Sequence, residues 1–524
     1  MKPRVLLFGL FPAYLGFASL GYAQGSAPAI SDRAAERLLD QAAWGPTPAD
    51  IHHLQQIGIS GWLDEQFQAP PSYLPDQPIL NSAGKTNTDF TPLQRAFFQN
   101  VVSGPDQLRQ RVAFALSEMW VVSGITVNAA YAWAPYYHVL VDNAFGNYRD
   151  LIKAVTLSPA MGTYLNMANN NKANPAKGTA ANENYARELM QLFTVGLVQL
   201  NPDGSPVLDQ NGNPVPTYSQ AMVTATARAL TGWTYPTAPD ATAKANNSAY
   251  YIGQMIPVET EHDMSSKVII GNVTLPPNQT AEQDLDGVLD TLMAQPTIAP
   301  FVSRQLIQHL VTSNPSPAYI QRVSSVFSNN GSGIAGDMKA VITAILTDPE
   351  ARAADDPSSV PNANFGHLRE PVLFIADLLR ALNANVTDTS VIYSFTAALG
   401  QTLFYPPTVF SYFSPLYQLS NGTPAPEFQI YSTATAATRA NIINAAIYGT
   451  LDKNTPLDYS EFMPYANDNL SLFDHIAYVF LHHSMSPEIT QAVATSVNAT
   501  TSGQGRVQAA LYIVLTSAEY QVVQ

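Results

Sequence analysis

Hydrophobic residues recur at spacings of three and four positions along most of the chain, which is the pattern of amphipathic helices. In DQLRQRVAFALSEMW, Leu108, Val112, Leu116 and Met119 fall on one helical face. The same spacing continues in FVSRQLIQHLV, LREPVLFIADLLRAL, STATAATRANIINAAIYG and RVQAALYIVLTSAEY. The pattern therefore predicts a mainly α fold, a large multi-helical domain in which helices cover more than half of the residues.

One of these helices carries clear signals at both ends. In TPADIHHLQQIG, Thr47 can cap the first turn with its hydroxyl, Pro48 suits the first helical position, and Asp50 suits the third. Gly58 is a stop signal, because glycine often ends a helix. The segment predicts a helix that begins at Pro48 and stops at Gly58.

Signals for β-strands are short and lie between about residues 198 and 275. In LNPDGSPVLDQNGNPVPTY, the turn dipeptides at 203–204 and 211–212 flank a short apolar run and predict a small β-meander. The segments YYIGQM and KVIIGNVTL predict another hairpin over residues 250–275. We therefore expect the β-structure to be small hairpin insertions in the central region.

The N-terminus carries the pattern of a secretory signal peptide. Lys2 and Arg4 precede a long apolar run, and the small residues Gly21 and Ala23 suit the positions before a cleavage site. The polar QGSAPAISD that follows favours cleavage after Ala23 over a retained membrane anchor. We therefore expect a signal peptide over residues 1–23 and a periplasmic or extracellular protein.

The patterning changes near Glu282 and divides the mature chain into two predicted lobes. The N-terminal helical lobe covers residues 24–280 and contains the hairpins, and the C-terminal helical lobe covers residues 281–524. A chain of 524 residues is long for one ordinary core, which agrees with this division.

Composition excludes several classes of protein. Hydrophobic residues make up 46% and charged residues 12%, which is typical of a folded globular chain. The net charge is −15 and no basic run occurs, so no nucleic acid is expected as a partner. The chain has no cysteine, which excludes disulfides, thiolate metal ligands and a cysteine nucleophile. No second long apolar stretch occurs, so no integral membrane segment is expected after signal removal.

Common catalytic motifs are absent from the sequence. The chain has no HExxH, no Walker glycine loop, no GxSxG and no Rossmann glycine fingerprint after a strand. The turn at residues 209–213 alternates oxygen ligands as calcium loops do, but it lacks the distal glutamate of an EF-hand. A plain turn is therefore favoured over a calcium site, and the sequence does not identify a cofactor.

The stretch NENYARELMQLF combines acidic, basic and amide side chains at the start of a predicted helix, with Asn182 near its N-cap. Glu183 and Arg187 are four residues apart, the spacing of a solvated ion pair. Glu188 falls at the edge of the apolar stripe, where a carboxylate must be paired, hydrogen-bonded or shifted in pKa. A structural partner is favoured for Glu188, and an acid/base role in a cleft is the alternative.

The segment EHDMSSK brings Glu261, His262, Asp263 and Lys267 within seven residues. A histidine beside carboxylates can act as a general base or a metal ligand. A polar hairpin entry held by local hydrogen bonds is the favoured alternative, because structural networks also gather such groups. His309 and His482 lie on or at the end of apolar helices, where a satisfied core or helix-end histidine explains each of them better than ligation.

The loop GQTLFYPPTVFSYFSPLY, residues 400–417, concentrates six aromatic residues around a Pro-Pro pair. Aromatic rings stack on sugar faces and on each other. Packing of the loop against helices is favoured, and a groove for a glycan or a peptide is the alternative.

A series of motifs follows in a recognisable order along the chain. The motifs are LRQRVAFALSEMWVVSG, LSPAMGTYLNM, NENYARELMQLFTVGL, ARALTGWT, HDMSSK, LREPVLF with LLRAL, LGQTLFYPP and ALYIVLTSAEYQ. Together they resemble the domain of unknown function family 1800 over about residues 34–524. The resemblance implies a predominantly helical, secreted bacterial protein without an established activity. Genes of the family often lie beside those of a second secreted family that resembles sulfatases and alkaline phosphatases.

The resemblance also implies a set of polar positions and one departure. The positions are Asn182, Glu183, Asn184, Arg187, Glu188, Arg228, Trp233, His262, Asp263, Lys267, Arg369, Glu370 and Gln401. Many members carry a Trp-His-Asn-His-like stretch where this chain reads SEMWVVSG, without histidine. A metal site built on those histidines therefore does not apply to this protein.

The leading hypothesis is a hydrolase-like or lyase-like enzyme that acts on an envelope or extracellular polymer, with a polysaccharide favoured. Paired carboxylates are usual in glycosidic cleavage. The predicted catalytic residues are Glu183, Glu188, His262 and Asp263. The predicted binding residues are Asn182, Arg187, Arg228, Trp233, Lys267, Arg369, Glu370 and Gln401. The alternative is a non-catalytic binding or maturation partner of the sulfatase-like secreted protein.

Overall fold

A computed structural model describes residues 30–523, apart from positions 357, 360, 361, 363, 388, 389, 450, 452–454, 456 and 483. The predicted signal peptide, its cleavage site and the first residues of the mature chain lie outside the described residues.

Helices make up 52% of the structure, which confirms a mainly α protein with helices over more than half of its residues. A π-helix, Leu189–Thr194, follows directly after a short α-helix, and short 3₁₀ helices lie between several elements. Within the described part of the chain, no helix is long and apolar enough to cross a membrane. The α-helices are α1 (Asp32–Ala42), α2 (Pro48–Gln68), α3 (Thr91–Ser103), α4 (Gln107–Met119), α5 (Ala130–Asn143), α6 (Tyr148–Thr156), α7 (Pro159–Tyr164), α8 (Asn184–Glu188), α9 (Gln220–Ala229), α10 (Ala281–Met293), α11 (Ile298–Leu310), α12 (Pro317–Ser328), α13 (Met338–Thr347), α14 (Pro371–Ala381), α15 (Ser390–Ala398), α16 (Thr433–Tyr448), α17 (Asn469–Phe480), α18 (Pro487–Asn498), α19 (Gly503–Thr516) and α20 (Ala518–Gln521).

Helix α2 begins as its sequence predicts. The hydroxyl of Thr47 accepts a hydrogen bond from the backbone N–H of Asp50 at 3.2 Å, and Pro48 occupies the first turn. The predicted stop at Gly58 is wrong, because the helix continues to Gln68 beyond a break at this glycine. Gly58 has φ 75°, a left-handed conformation that glycine adopts at little cost, so the residue kinks the helix instead of ending it.

The predicted β-meander at residues 198–216 is present as three isolated antiparallel bridges, and its two turns are where the dipeptides predict them. Gly204 and Gly212 have φ of 78° and 80°, as such turns require. Each bridge includes a proline, Pro206, Pro214 or Pro216. Proline lacks the N–H that a ladder needs, so the pairing does not extend into a regular sheet.

The predicted hairpin over residues 250–275 is wrong in its pairing. The strands form three antiparallel pairs, β1 (Trp233–Thr234) with β2 (Ile256–Pro257), β3 (Lys267–Val268) with β4 (Thr274–Leu275), and β5 (His367–Leu368) with β6 (Val522–Val523). KVIIGNVTL folds on itself, because Gly271 has φ 70° and permits a tight turn within it. The β5–β6 pair also lies outside the region in which strands were expected.

The segment NENYARELMQLF is helical, but it does not form one regular α-helix. After the short α8, the chain winds into the π-helix. Asn182 lies near the N-cap as predicted, directly before the N-cap residue Glu183, and its side-chain oxygen accepts from the backbone N–H of Asn184 at 2.9 Å. The side-chain amide of Asn170 binds the backbone N–H and carbonyl of Asn182, at 2.8 and 3.0 Å, and this holds Asn182 outside the helix.

Buried apolar residues form a cluster that runs from Ala35 in α1 to Tyr520 in α20. Helices of the two predicted lobes pack on each other, α4 against α11, α3 against α14 and α1 against α17. The division into lobes near residue 280 stays a prediction. The packing brings together the last turns of α4 and α11, which carry Glu118 and His309, and the residue before α14, which is Glu370.

Candidate active site

A cavity of about 710 Å³ lies between helix α11, the π-helix, the β-meander and the aromatic loop at residues 400–417. This volume is within the usual range for small-molecule sites. Most of the wall is apolar and includes Leu192, Leu197, Phe301, Phe410, Phe413 and Leu416. Five titratable side chains also line the cavity, namely Glu118, Asp203, Arg304, His309 and Glu427. We call Glu118, His309, Glu427 and Glu370 the acidic cluster.

The acidic cluster is held by a short hydrogen-bond network. Oε2 of Glu118 lies 3.3 Å from Nδ1 of His309. The amide of Gln401 donates to Oε1 of Glu118 at 3.1 Å and also to a carboxylate oxygen of Glu370. The backbone N–H of Val372 donates to the Gln401 carbonyl at 2.8 Å, which fixes the orientation of this amide. Gln401 therefore holds two carboxyl groups side by side beneath the cavity.

Burial changes the protonation of the acidic cluster. Removal from water raises the pKa of Glu118 to about 7, that of Glu427 to about 7 and that of Glu370 to about 8. For Glu370, the nearby charge of Glu118 raises the pKa further. Burial also lowers the pKa of His309. Near neutral pH, these groups can therefore both take up and release protons, as acid/base catalysis requires.

Arg111 is the buried cation next to these carboxyl groups. It lies on α4 and donates to the backbone carbonyl of His309. Its charge favours the ionised forms of Glu118 and Glu370 and so limits the rise of their pKa values. Its Nε and Nη1 atoms have no hydrogen-bond partner among the described residues.

Glu427 has its own partners on the far side of the acidic cluster. The hydroxyl of Ser313 donates to Oε2 of Glu427 at 2.8 Å. Nδ1 of His367 lies 4.0 Å from Oε1 of Glu427. Burial lowers the pKa of His367 to about 3, so this imidazole is neutral at physiological pH.

The sequence analysis found Glu370 and Gln401 but missed Glu118, His309 and Glu427 as site residues of the cavity wall. His309 was interpreted as a satisfied core histidine, whereas it contacts Glu118 at the cavity wall. One signal was available, because Arg111 and Glu118 are seven positions apart and so lie on the same face of the helix. Charges on the buried face of a helix need partners, and they indicate a polar site.

Glu183 and Arg187 form a surface network with side chains of α9. Oε1 of Glu183 accepts from the hydroxyl of Thr224 at 2.6 Å, and Oε2 accepts from Gln220 at 2.8 Å and from Arg187 at 2.9 Å. The Thr224 hydroxyl and these further donors lower the pKa of Glu183. A carboxylate with three donors is well satisfied as a charged group.

Glu188 is half-buried near Tyr164 and Tyr218 and lies outside the cavity wall. Burial raises the pKa of its carboxyl group. Its Oε2 atom has no hydrogen-bond partner in the part of the chain that the structure describes. Glu188 therefore has the raised pKa that the sequence analysis considered, but at a different place from the acidic cluster.

The HDMSSK residues divide between the surface and the interior. His262 and Lys267 are fully buried and both contact Oδ2 of Asp284, at 3.1 and 2.5 Å. Asp263 instead forms an ion pair with Arg228 at 2.8 Å. Although burial raises the pKa of Asp263, hydrogen bonds from Arg228 and a neighbouring serine bring it well below its usual range. Neither arrangement reaches the cavity wall.

Trp233 is buried in strand β1 and lies outside the cavity wall.

Arg369 belongs to another buried network, which joins α1 to the residues after α17. Its guanidinium lies 2.5 Å from Oδ2 of Asp40, and the same oxygen contacts Nε2 of His482. Although burial lowers the pKa of His482, Asp40 and Glu36 raise it to about 9. The sequence-predicted residues thus occupy several separate places and do not share one cleft, and the roles assigned to them stay predictions.

The aromatic loop takes part in both packing and cavity formation, the two alternatives that its sequence left open. Phe404 is buried among the rings of Phe97, Trp133 and Tyr137. Phe410 lines the cavity and is 38% exposed at its rim. In the described residues, no group of three or more histidine and carboxylate side chains is arranged to hold a metal ion.

The fold and the site define a mainly α-helical protein in which the ends of α4 and α11 and the start of α14 build an acidic cluster under an apolar cavity. The chain belongs to the family described as protein of unknown function (DUF1800), whose family model matches residues 37–522. The match covers nearly the whole chain and confirms the resemblance found in the sequence motifs. Comparisons with curated proteins and with solved structures give no match.

Proposed function

We propose that the protein is a hydrolase-like or lyase-like enzyme that uses the acidic cluster for general acid/base catalysis. The observation that carries this proposal is the position of Glu118, His309 and Glu427 in the wall of a cavity large enough for a substrate. Burial raises the pKa values of Glu118 and Glu427 to about 7, and carboxyl groups with such shifted pKa values in a cavity are characteristic of catalytic sites.

Glu118 is the group best placed to transfer a proton. Its Oε2 atom faces His309, and its pKa of about 7 leaves both protonation states populated near neutral pH. Glu370 and Gln401 do not line the cavity. They act as positioning residues, because their contacts hold the Glu118 carboxyl group and adjust its proton affinity.

The predicted export places such an enzyme where envelope and extracellular polymers are found. The sequence predicts such a polymer as the substrate, with a polysaccharide favoured. This substrate class remains part of the proposal. The acid/base role predicted for Glu183, Glu188, His262 and Asp263 is a competing assignment within the same proposal. Variants at Glu118 and Glu188 distinguish the two assignments.

The test is a screen of the purified mature chain against polymers and their esters, with product analysis, followed by Glu118→Gln. This change keeps the size of the side chain but prevents proton exchange, so we expect turnover to fall by about 10²–10⁴-fold. The melting temperature should not fall, because glutamine resembles the neutral carboxyl group that burial favours. Full activity of Glu118→Gln would contradict the assignment.

One observation favours the alternative, a partner of the sulfatase-like secreted protein. Leu197 and Leu416 line the cavity and are 57% and 72% exposed, and exposed apolar side chains of this kind are typical of binding surfaces. Co-expression with the neighbouring sulfatase-like protein tests this role. A complex that Leu197→Asp disrupts, together with no turnover in the screen, would favour it over catalysis.

A further inference from the structure

Two polar atoms in the cavity wall lack partners. They are Nε2 of Gln305 and Oγ of Ser411, and neither forms a hydrogen bond within the part of the chain that the structure describes. Both residues are at least nine-tenths buried and line the cavity. A buried polar group without a partner costs stability, and a ligand that satisfies these atoms would remove that cost.

Gln305 and Ser411 supply donors on two sides of the cavity. Gln305 lies one turn before His309 on α11, so the two side chains project from the same face of the helix. Ser411 belongs to the aromatic loop, between the cavity-lining Phe410 and Phe413. A side-chain amide N–H and a hydroxyl next to a carboxyl group form the donor set that binds and polarises a carbonyl oxygen.

The charges around the cavity favour an uncharged ligand. Glu118 and Glu427 line the cavity, and Glu370 lies behind them, so an anionic group would meet carboxylates. The cation in the wall, Arg304, already donates to the carbonyl of Gly204. Burial lowers the pKa of its guanidinium, and the nearby charge of Asp203 opposes this shift. A fixed negative charge on the ligand therefore has no obvious partner among the lining residues.

The apolar part of the wall favours an aliphatic ligand over a sugar chain. Leu192, Phe301, Phe413 and Leu416 present apolar surface to the cavity. A hydroxyl-rich sugar chain placed against this surface would lose hydrogen bonds to water without replacing them. An aliphatic chain would instead gain from leaving water.

We propose that the cavity binds a neutral acyl ester, with the acyl chain against the apolar wall and the carbonyl oxygen held by Gln305 and Ser411 beside Glu118. This proposal rests on the proposed function and names its substrate class. Hydrolysis then breaks the bond between the acyl carbon and the ester oxygen. Water gives its hydroxyl to the acyl carbon and a proton to the Glu118 carboxylate. That proton passes on to the departing alkoxide, and the products are a carboxylic acid and an alcohol.

Calorimetric titration of the mature chain with monooctanoylglycerol, sodium octanoate and cellohexaose tests the proposal. We expect saturable binding of the neutral ester, binding of the octanoate anion at least about tenfold weaker, and no binding of the sugar. Gln305→Leu and Ser411→Ala should each weaken ester binding by about three- to tenfold. Neither variant should lower the melting temperature, because the group that it removes has no partner in the free protein.

A matched pair of surface variants controls for nonspecific binding. Leu416 at the cavity rim and Leu470 on α17 are 72% and 69% exposed, and Leu470 does not line the cavity. Leu416→Asp should weaken ester binding, whereas Leu470→Asp should leave it unchanged. Equal binding by the wild type and by the Gln305, Ser411 and Leu416 variants would overturn the proposal, since the ester would then bind elsewhere.

Glu118→Gln separates this proposal from the proposed function. The variant should still bind monooctanoylglycerol but should no longer hydrolyse it. Cavity binding by the wild type without hydrolysis of any ester would support the ligand class and contradict catalysis. Turnover of a polysaccharide that Glu118→Gln abolishes, without binding of the ester, would support catalysis and overturn the acyl ester.

Discussion

Oε2 of Glu118 lies 3.3 Å from Nδ1 of His309, and each residue belongs to the last turn of its helix. The ends of α4 and α11 thus meet at the cavity wall. Burial raises the pKa of the carboxyl group to about 7 and lowers that of the imidazole. A pKa of about 7 leaves the Glu118 carboxyl group partly protonated near neutral pH, next to an imidazole whose neutral form burial favours.

The acidic cluster should make the protein less stable as the pH rises. Burial raises the pKa of Glu370 from its ordinary value of 4.5 to about 8, so the folded state binds this proton more tightly than the unfolded state does. The resulting stabilisation is present below about pH 4.5 and is lost as the pH rises through about 8. Each pKa unit corresponds to about 1.4 kcal/mol. Thermal unfolding should show a higher melting temperature at acidic pH.

Glu370→Gln tests whether this carboxyl group causes the dependence. The variant should flatten the fall in melting temperature between about pH 5 and about pH 8, because the amide does not titrate. Glu183→Gln is the comparison, since the pKa of Glu183 is lowered and it lies in a different network. An unchanged slope in Glu370→Gln would mean that another group carries the effect.

His482 should also stabilise the folded protein at low pH, and this stabilisation should likewise be lost as the pH rises. Asp40 and Glu36 raise its pKa from 6.5 to about 9 despite its burial. Its contribution is complete below about pH 6.5 and is lost as the pH rises through about 9. His482→Asn should therefore reduce stability most below about pH 6.5 and flatten the curve between these two values. A variant curve parallel to that of the wild type would argue against a charged His482.

Lys267 should be needed for stability more than for turnover. It is fully buried against Asp284, and its removal leaves that buried carboxylate with one cationic partner fewer. We expect Lys267→Met to destabilise the protein by about 3–5 kcal/mol, measured by denaturant unfolding. Lys85→Met, at an exposed position, should change stability by less than about 0.5 kcal/mol.

The histidine in the same network distinguishes a structural role from the predicted catalytic one. His262 is fully buried beside Asp284, so we expect His262→Gln to lower the melting temperature while the activity per folded molecule stays near that of the wild type. An unchanged melting temperature with loss of turnover would instead support the catalytic role predicted from the sequence.

Glu188→Gln tests whether Glu118 or Glu188 is the acid/base residue. The melting temperature should change little, because Oε2 of Glu188 has no partner among the described residues. Activity should remain, because Glu188 does not line the cavity. Loss of turnover at an unchanged melting temperature would transfer the acid/base role to Glu188.

The mature protein should begin near Gln24. The charged start, the apolar run and the small residues Gly21 and Ala23 are the features of a cleaved signal. N-terminal sequencing of protein from the periplasm or the culture medium provides the measurement. Recovery from the cytosol alone, with Met1 intact, would contradict export.

The helices could be predicted because their signals are local. The Thr47 cap and the apolar face around Leu116 involve residues within a few turns of each other. The π-helix could not be predicted, because its hydrogen-bond register depends on packing around it. The partner of β2 was missed for a related reason, since two-residue strands carry no pattern that selects a partner.

The acidic cluster depends on contacts that are distant in sequence. Glu118, His309 and Glu427 come from separate segments, and each on its own resembles a buried polar residue that needs a partner. Motif matching favoured Glu183 and His262 because their neighbours in sequence are also polar. Gln401 and Glu370 were found, but their common partner Glu118 became evident only when α4 and α14 were placed together.

Strand β6 pairs with β5, and Arg369 and Glu370 follow directly after β5. The backbone N–H of Arg369 also donates to the carbonyl of Gln521, next to β6. The segment that places Glu370 in the acidic cluster is therefore held by backbone pairing with residues that the ribosome adds much later. Until translation has passed Val523, the nascent chain lacks this pairing. The acidic cluster is therefore completed only after synthesis of the C-terminal helices.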